Sequence, residues 1–242
     1  MRALAALMMA ASLAACVQPM RYPAPVPLPD LLSVETANDA PLSPRAAALN
    51  FLTVVARVEP IAEAYCRSAG SAENCDFQIV IDDRPGQPAN AFQTLDRSGR
   101  PIIAFSLALI ADARNADEIA FVLGHESAHH IAGHIPRQQQ TAVAGAVLAG
   151  IMAAANGAGR AEVEQAQQLG AGLATRSYSK DFELQADAIG TEIAFHAGFD
   201  PLRGAGFFDR LPDPGDAFLG SHPANAQRKA QVAQVLASLR GR

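Results

Sequence analysis

The chain has 242 residues, enough for one sizeable domain with a buried core, so it is not a miniprotein held by disulfides alone. Half of its residues are apolar and 18% are charged, which excludes a disordered tail and a polytopic membrane protein, and a net charge of -5 argues against a nucleic-acid partner. Alanine is abundant, aromatics are only 6% and Trp is absent, so close-packed helices are expected: a mainly α protein with a small β-sheet, of α+β class.

In residues 1–15 the single charge, Arg2, precedes an apolar run over 3–13 and then small residues up to Cys16. This pattern reads as a signal peptide; a spanning helix needs about 20 apolar residues. Leu13-Ala14-Ala15-Cys16 resembles the lipobox of bacterial lipoproteins, in which cleavage before the Cys leaves it as the lipidated residue. The expected location is therefore the periplasmic face of a bacterial membrane, with the outer membrane as the expected address. Residues 16–44 then form a tether: the segment 17–44 holds seven of the sixteen prolines and reads as extended and semi-rigid. The folded body is expected over 45–242. In an oxidising compartment the remaining cysteines, Cys66 and Cys75, are an even pair for which a disulfide is the natural reading.

Residues 46–68 carry apolar side chains at helical spacing and predict one helix or two short ones, broken or bent near Pro60. Residues 77–81 are β-branched and predict a strand. Residues 91–95 and 102–105, separated by Asp96-Arg97-Ser98-Gly99, predict a hairpin. Asn115 with Glu118 three residues on gives a capping signature for a helix ending near Ala132 or Gly133. Further helices are predicted at 137–156, 161–175, 180–197 and 224–239. The Ala/Gly-rich run 141–155 covers only about 23 Å as a helix and is read as a buried or lid-like element rather than a span; a membrane-touching surface is the other reading.

Four of the six histidines fall in 125–134. His125 and His129 are four apart, about 40° around a helix and one turn in height, so both imidazoles can meet one ion, with zinc the expected cofactor. Glu126 follows the first of them and is placed to act as general base on water. A metzincin third ligand would need Gly at 132 and His at 135, where this chain has Ala132 and Ile135. His130 and His134 point away if the helix persists and are read as hydrogen-bonded side chains that bind no metal. Glu183 is the better third ligand: it precedes Asp187 by one turn, so that Asp187 can accept the N–H of a ligand imidazole. Two His and one Glu leave a position for water, the arrangement of a catalytic zinc site.

His125-Glu126-x-x-His129 followed by Glu183-x-x-Ala186-Asp187 resembles the HtpX- and BepA-like gluzincins of peptidase family M48. Asn90-Ala91-Phe92, Tyr178-Ser179, Gly198-Phe199-Asp200-Pro201 and His222-Pro223 with Arg228 match the family in the same order, over roughly residues 88–235. The resemblance implies a zinc metalloendopeptidase. It places His222 near the metal, as a latent extra ligand or an aid to the transition state, although Pro223 equally makes His222 a residue at a helix start. Arg228 is implied as a partner for substrate carbonyls or acidic side chains. Asn90, Ala91 and Phe92 are implied as an edge strand to which an extended polypeptide adds. The chain has neither the several spans nor the helical-repeat domain of the larger branches, so the expected substrates are misfolded or unassembled envelope proteins. The competing expectation is a latent, chaperone-like binding protein whose zinc is capped by His222.

Overall fold

The structure, a computed structural model, describes residues 40–72, 74–210 and 224–241, and Pro23 besides. The segments read as signal peptide and most of the tether, Cys16 included, lie outside the described residues, as does His222.

Helix α1 (Pro44–Ala69) begins at a Ser43 cap whose Oγ accepts from the Ala46 N–H, and stops at Gly70 in the left-handed conformation with φ 63°. It runs unbroken through Pro60, where a break or bend was expected. An internal Pro costs about 3 kcal/mol, but Val54, Val58, Ile61 and Ala62 on either side of it are buried. Burying each such side chain returns roughly 1.5–3 kcal/mol for the larger ones, so tertiary packing outweighs the local penalty. Cys66, in its last turn, is bonded to Cys75 with the Cα atoms 5.7 Å apart, as the pairing argument expects.

Three strands follow: β1 (Gln78–Asp82), β2 (Ala91–Leu95) and β3 (Pro101–Ser106), in sheet order β1-β3-β2. The expected hairpin is present as the antiparallel pair β2–β3, while β1 pairs parallel with β3 from the other side. Central β3 buries Ile103, Ala104 and Phe105. β2 is thereby an outer strand, and its register sets Ala91 opposite Phe105 and Gln93 opposite Ile103.

After the short α2 (Leu107–Asp112), helix α3 (Ala116–Ile131) starts where the capping signature places it, with Asn115 Oδ1 accepting from the Glu118 N–H at 3.0 Å. It is the core helix, buried at Ile119, Ala120, Phe121, Leu123, Ala128 and Ile131. Gly133, at φ 65°, reverses the chain into α4 (His134–Ala155). Helix α5 (Arg160–His196) is continuous for 37 residues where two helices, 161–175 and 180–197, were expected. Its polar and glycine residues near 170–180 suggest a break. Pairing along α4, with Gly145 against Gly170, keeps the helix going. The α4–α5 pair is a hairpin arm, and α4 buries only His134 and Gly150. That corrects the buried form of the expectation for 141–155, which was a buried or lid-like helix: among the described residues the outer face of α4 is exposed. The short α6 (Pro201–Gly204), a 3-10 turn (Ala205–Arg210) and α7 (Asn225–Arg240) close the body; α7 packs on α5 and buries Leu236 and Val232, the latter in a cluster with Phe121, Ala205 and Phe208.

The crossing of α3 and α5 positions the site. A Cβ built on Gly124 would lie 2.8 Å from the Gly190 carbonyl oxygen, and one on Gly190 would lie 2.8 Å from the His125 backbone nitrogen. The two backbones touch there, which only glycine allows. Glu183, Asp187 and Gly190, spaced four and three, share one face of α5, so this contact carries both carboxylates onto the His125–His129 face of α3. Gly190→Ala is expected to cost about 1–3 kcal/mol by overpacking and to weaken metal retention in the same variant. Urea unfolding and metal analysis check both.

Candidate metal centre

His125 Nε2 and His129 Nε2 are 3.0 Å apart. One oxygen of Glu183 is 3.4 Å from His125 Nε2 and the other 3.6 Å from His129 Nε2. The three ligand atoms lie within 4.8 Å of one another and form the one such cluster found among the described residues. Ligands held at 2.0–2.1 Å around a tetrahedral ion stand about 3.3 Å apart, so the spacing and the N, N, O donor set fit zinc.

The hydrogen bonds around the imidazoles fix which nitrogens face that point. Asp187 is fully buried, and its Oδ1 accepts from His125 Nδ1 at 2.9 Å, leaving Nε2 toward His129 and Glu183. Burial by itself would depress His125, yet its bonds to the Asp187 and Glu183 carboxylates hold its pKa up at about 10. Burial, with the charge on His125, pushes His129 down to about 3. The Glu183 and Asp187 carboxylates thus flank the His125 imidazole, and Glu183 reaches His129 as well, an environment that favours a cation.

His134 belongs to this network, which the sequence reading missed. It lies outside the His125–His129–Glu183 cluster, but it does not point away: Gly133 follows the end of the helix and turns His134 back, so its Nδ1 lies 2.8 Å from His129 Nδ1. Its Nε2 is 3.1 Å from Gln185 Oε1, an oxygen that also accepts from Arg137 Nη1 at 3.2 Å. With Gln185 accepting, His134 donates from Nε2 and accepts at Nδ1. His129 then donates from Nδ1, and its Nε2 lone pair faces His125 and Glu183. The ring is clamped by stacking on Phe182 at 4.4 Å, and Arg137 covers that ring's other neighbourhood at 4.6 Å. A left-handed Gly immediately before a His is the signal that would have revealed it. His130 lies apart, with Nε2 2.6 Å from the Asn74 carbonyl oxygen.

Arg228 is buried, and its Nε and Nη2 each donate to Asp187 at 2.7 Å. It lies over the Phe208 ring at 3.9 Å, and its Nη2 is 3.4 Å from Glu183. The fork thus meets acidic side chains of its own chain. The expectation that Arg228 serves substrate groups gives way to a positioning role, because a buried guanidinium next to Asp187 gains more by neutralising it.

His125, His129, His134, Glu183 and Arg228 line a cleft of about 570 Å³ together with Asn90, Ala91, Phe92 and Gln93 of β2 and its approach. Glu126 also lines it, and the backbone N–H of Gln93 bonds the Glu126 carboxylate. Burial pushes Glu126 above the usual carboxylate range and the Glu183 charge adds to this, while His125 and Arg228 oppose it. A carboxyl raised in this way is suited to taking up and returning a proton near neutrality.

No curated protein sequence matches the chain. The model of peptidase family M48 does match, over residues 53–235, a span that begins in α1, ends in α7 and contains His125, Glu126, His129, Glu183, Asp187 and Arg228. By that match the chain belongs to peptidase family M48 and is a metallopeptidase.

Proposed function

We propose that the protein is a zinc endopeptidase of a bacterial envelope, lipid-anchored through Cys16, that cleaves misfolded or unassembled polypeptides. The observation that carries the hydrolytic reading is the His125–His129–Glu183 cluster set beside an outer strand in one cleft. Family members are zinc metalloproteases, which supports the choice of ion. Zinc held by these three side chains would supply Lewis-acid polarisation of a carbonyl and of water at neutral pH.

The chain's own residues account for the rest. An extended polypeptide adds to the cleft side of β2, held by main-chain hydrogen bonds that read little side-chain identity, which suits unfolded substrates. Glu126 takes the proton from the attacking water and returns it to the leaving amine. Asp187 holds His125, and His134 holds His129, each with Nε2 toward the third donor. Arg228 holds the buried Asp187 side chain in place through two hydrogen bonds.

Glu183→Ala is expected to lose stoichiometric zinc and casein hydrolysis together while keeping native far-UV circular dichroism. Undiminished zinc in that variant would remove Glu183 from the ligand set. His134→Ala is expected to weaken zinc about 10- to 100-fold, read by competition with a chromophoric chelator, because the His129 tautomer is no longer fixed. Saturating zinc should restore most of its activity, which separates a positioning loss from a catalytic one.

A further inference from the structure

Five large apolar side chains of α4, namely Val143, Val147, Leu148, Ile151 and Met152, are each more than half exposed, and Leu169 and Leu173 of α5 are exposed to the same degree. Positions 143, 147 and 151, with 148 and 152 beside them, form one stripe along α4. Gly145 and Gly150 face α5, the first against Gly170 and the second against Gln167, so the stripe belongs to the outer side of the arm. Residues 138–159 contain no charged side chain. Soluble monomers rarely expose contiguous apolar surface beyond a few hundred Å², so a face of this kind has a partner.

We infer that the outer face of α4 docks on the surface of a lipid bilayer, with the arm lying in the plane of the headgroup–acyl boundary. Three observations favour lipid over protein. The stripe is aliphatic side chains and one Met, with neither the aromatic nor the Arg anchors that carry protein–protein interfaces. No helix of the described residues is long and apolar enough to cross a membrane, so the arm lies on the bilayer and does not span it. The third is the tether, and it rests on the reading of Cys16 as the lipidated residue. Twenty-seven residues separate Cys16 from Pro44, an extended reach of about 84 Å at ~3.1 Å per residue. The 22 residues of α4 cover about 33 Å, so an anchored body has slack enough to lay the arm flat.

The charge decides how it binds. At a net -5 the chain gains nothing from anionic headgroups, so apolar insertion does the holding and salt leaves it intact. His134, Ile135 and Gln138 at the base of α4 line the cleft, so a docked arm holds the cleft mouth at a fixed place beside the membrane.

The test uses the full chain carrying Cys16→Ser, which removes the lipid and leaves the arm as the membrane contact, in flotation with phosphatidylcholine vesicles and with vesicles containing phosphatidylglycerol. The expected result is flotation with both, unchanged between low and high salt. Val147→Gln/Leu148→Gln/Ile151→Gln/Met152→Gln in the same background should reduce flotation at least tenfold and leave hydrolysis of soluble casein unchanged. Ile151→Asp alone should act in the same direction if the fourfold variant is poorly folded. A folded Cys16→Ser chain that stays with the soluble fraction overturns the inference, as does flotation confined to anionic vesicles at low salt. So does sedimentation equilibrium showing a dimer that the fourfold variant dissociates, which would assign the face to a second copy. Flotation and sedimentation, which decide the inference, do not depend on peptide cleavage, so failure here is distinct from failure of the peptidase reading.

Discussion

Glu126→Gln is expected to lower kcat for casein or a peptide substrate by about 10²–10⁴-fold, the range that general-base catalysis supplies, while zinc stays stoichiometric. The separation follows from placement. Glu126 lies outside the cluster formed by His125, His129 and Glu183, so the amide removes no donor from it. Gln keeps an oxygen to accept the Gln93 N–H that the carboxylate accepts, so side-chain orientation is preserved. What is lost is the capacity to take a proton from water and deliver it to the leaving nitrogen. Single-turnover measurements at saturating zinc, with metal content determined on the same samples, check this. Wild-type turnover in the variant would assign the proton to another group in the cleft.

Arg228→Met should be the most destabilising single change in the site, by about 3–5 kcal/mol, because it strands a buried carboxylate. Asp187 is fully buried, and two of its three hydrogen bonds described here come from the guanidinium. Without that cation its charge is supported by His125 alone, so the pair's loss is read both as a lower urea midpoint and as weaker zinc. Adding Asp187→Asn to Arg228→Met is expected to recover part of the stability, since no unpaired charge remains. It should not recover zinc affinity, because an amide oxygen is a weaker acceptor for the His125 N–H than a carboxylate. Equal stability of the single and wild-type chains would refute the positioning role.

Much of the site was legible because its signals are local. His125, Glu126 and His129 fall within two turns of a helix whose start is written in Asn115 and Glu118. Glu183 and Asp187 are again one turn apart. Their lying seven and three residues before Gly190 is equally visible, but nothing in the sequence says which glycine opposes it. The hairpin of β2 and β3 was legible from turn chemistry, whereas the parallel pairing of β1 with β3 was not, because strand order depends on contacts distant in sequence. Pro60 and the joint of α5 near residues 170–180 show the same limit. Local penalties predict breaks there; burial of Val54, Val58, Ile61 and Ala62 overrides the first, and close backbone packing of Gly170 on Gly145 of α4 overrides the second.

His134 and Arg228 mark where spacing arguments stop. Helical geometry extended past Ile131 sends His134 to the far side, and a single left-handed glycine brings it back to His129. Arg228 is 41 residues from Asp187 along the chain, and no pattern within α7 reveals that its partner is internal.

The amino-acid order alone determined the helix-borne pieces of the site, the class of fold and the cysteine pairing, since each depends on neighbours within a few turns or on composition. Only the tertiary structure decided that α5 is one helix, that α4 exposes its apolar face among the described residues, and that Gly124 against Gly190 brings carboxylates to imidazoles. Those outcomes depend on how closely two backbones approach, a quantity set by all the packing around them and written at no single position.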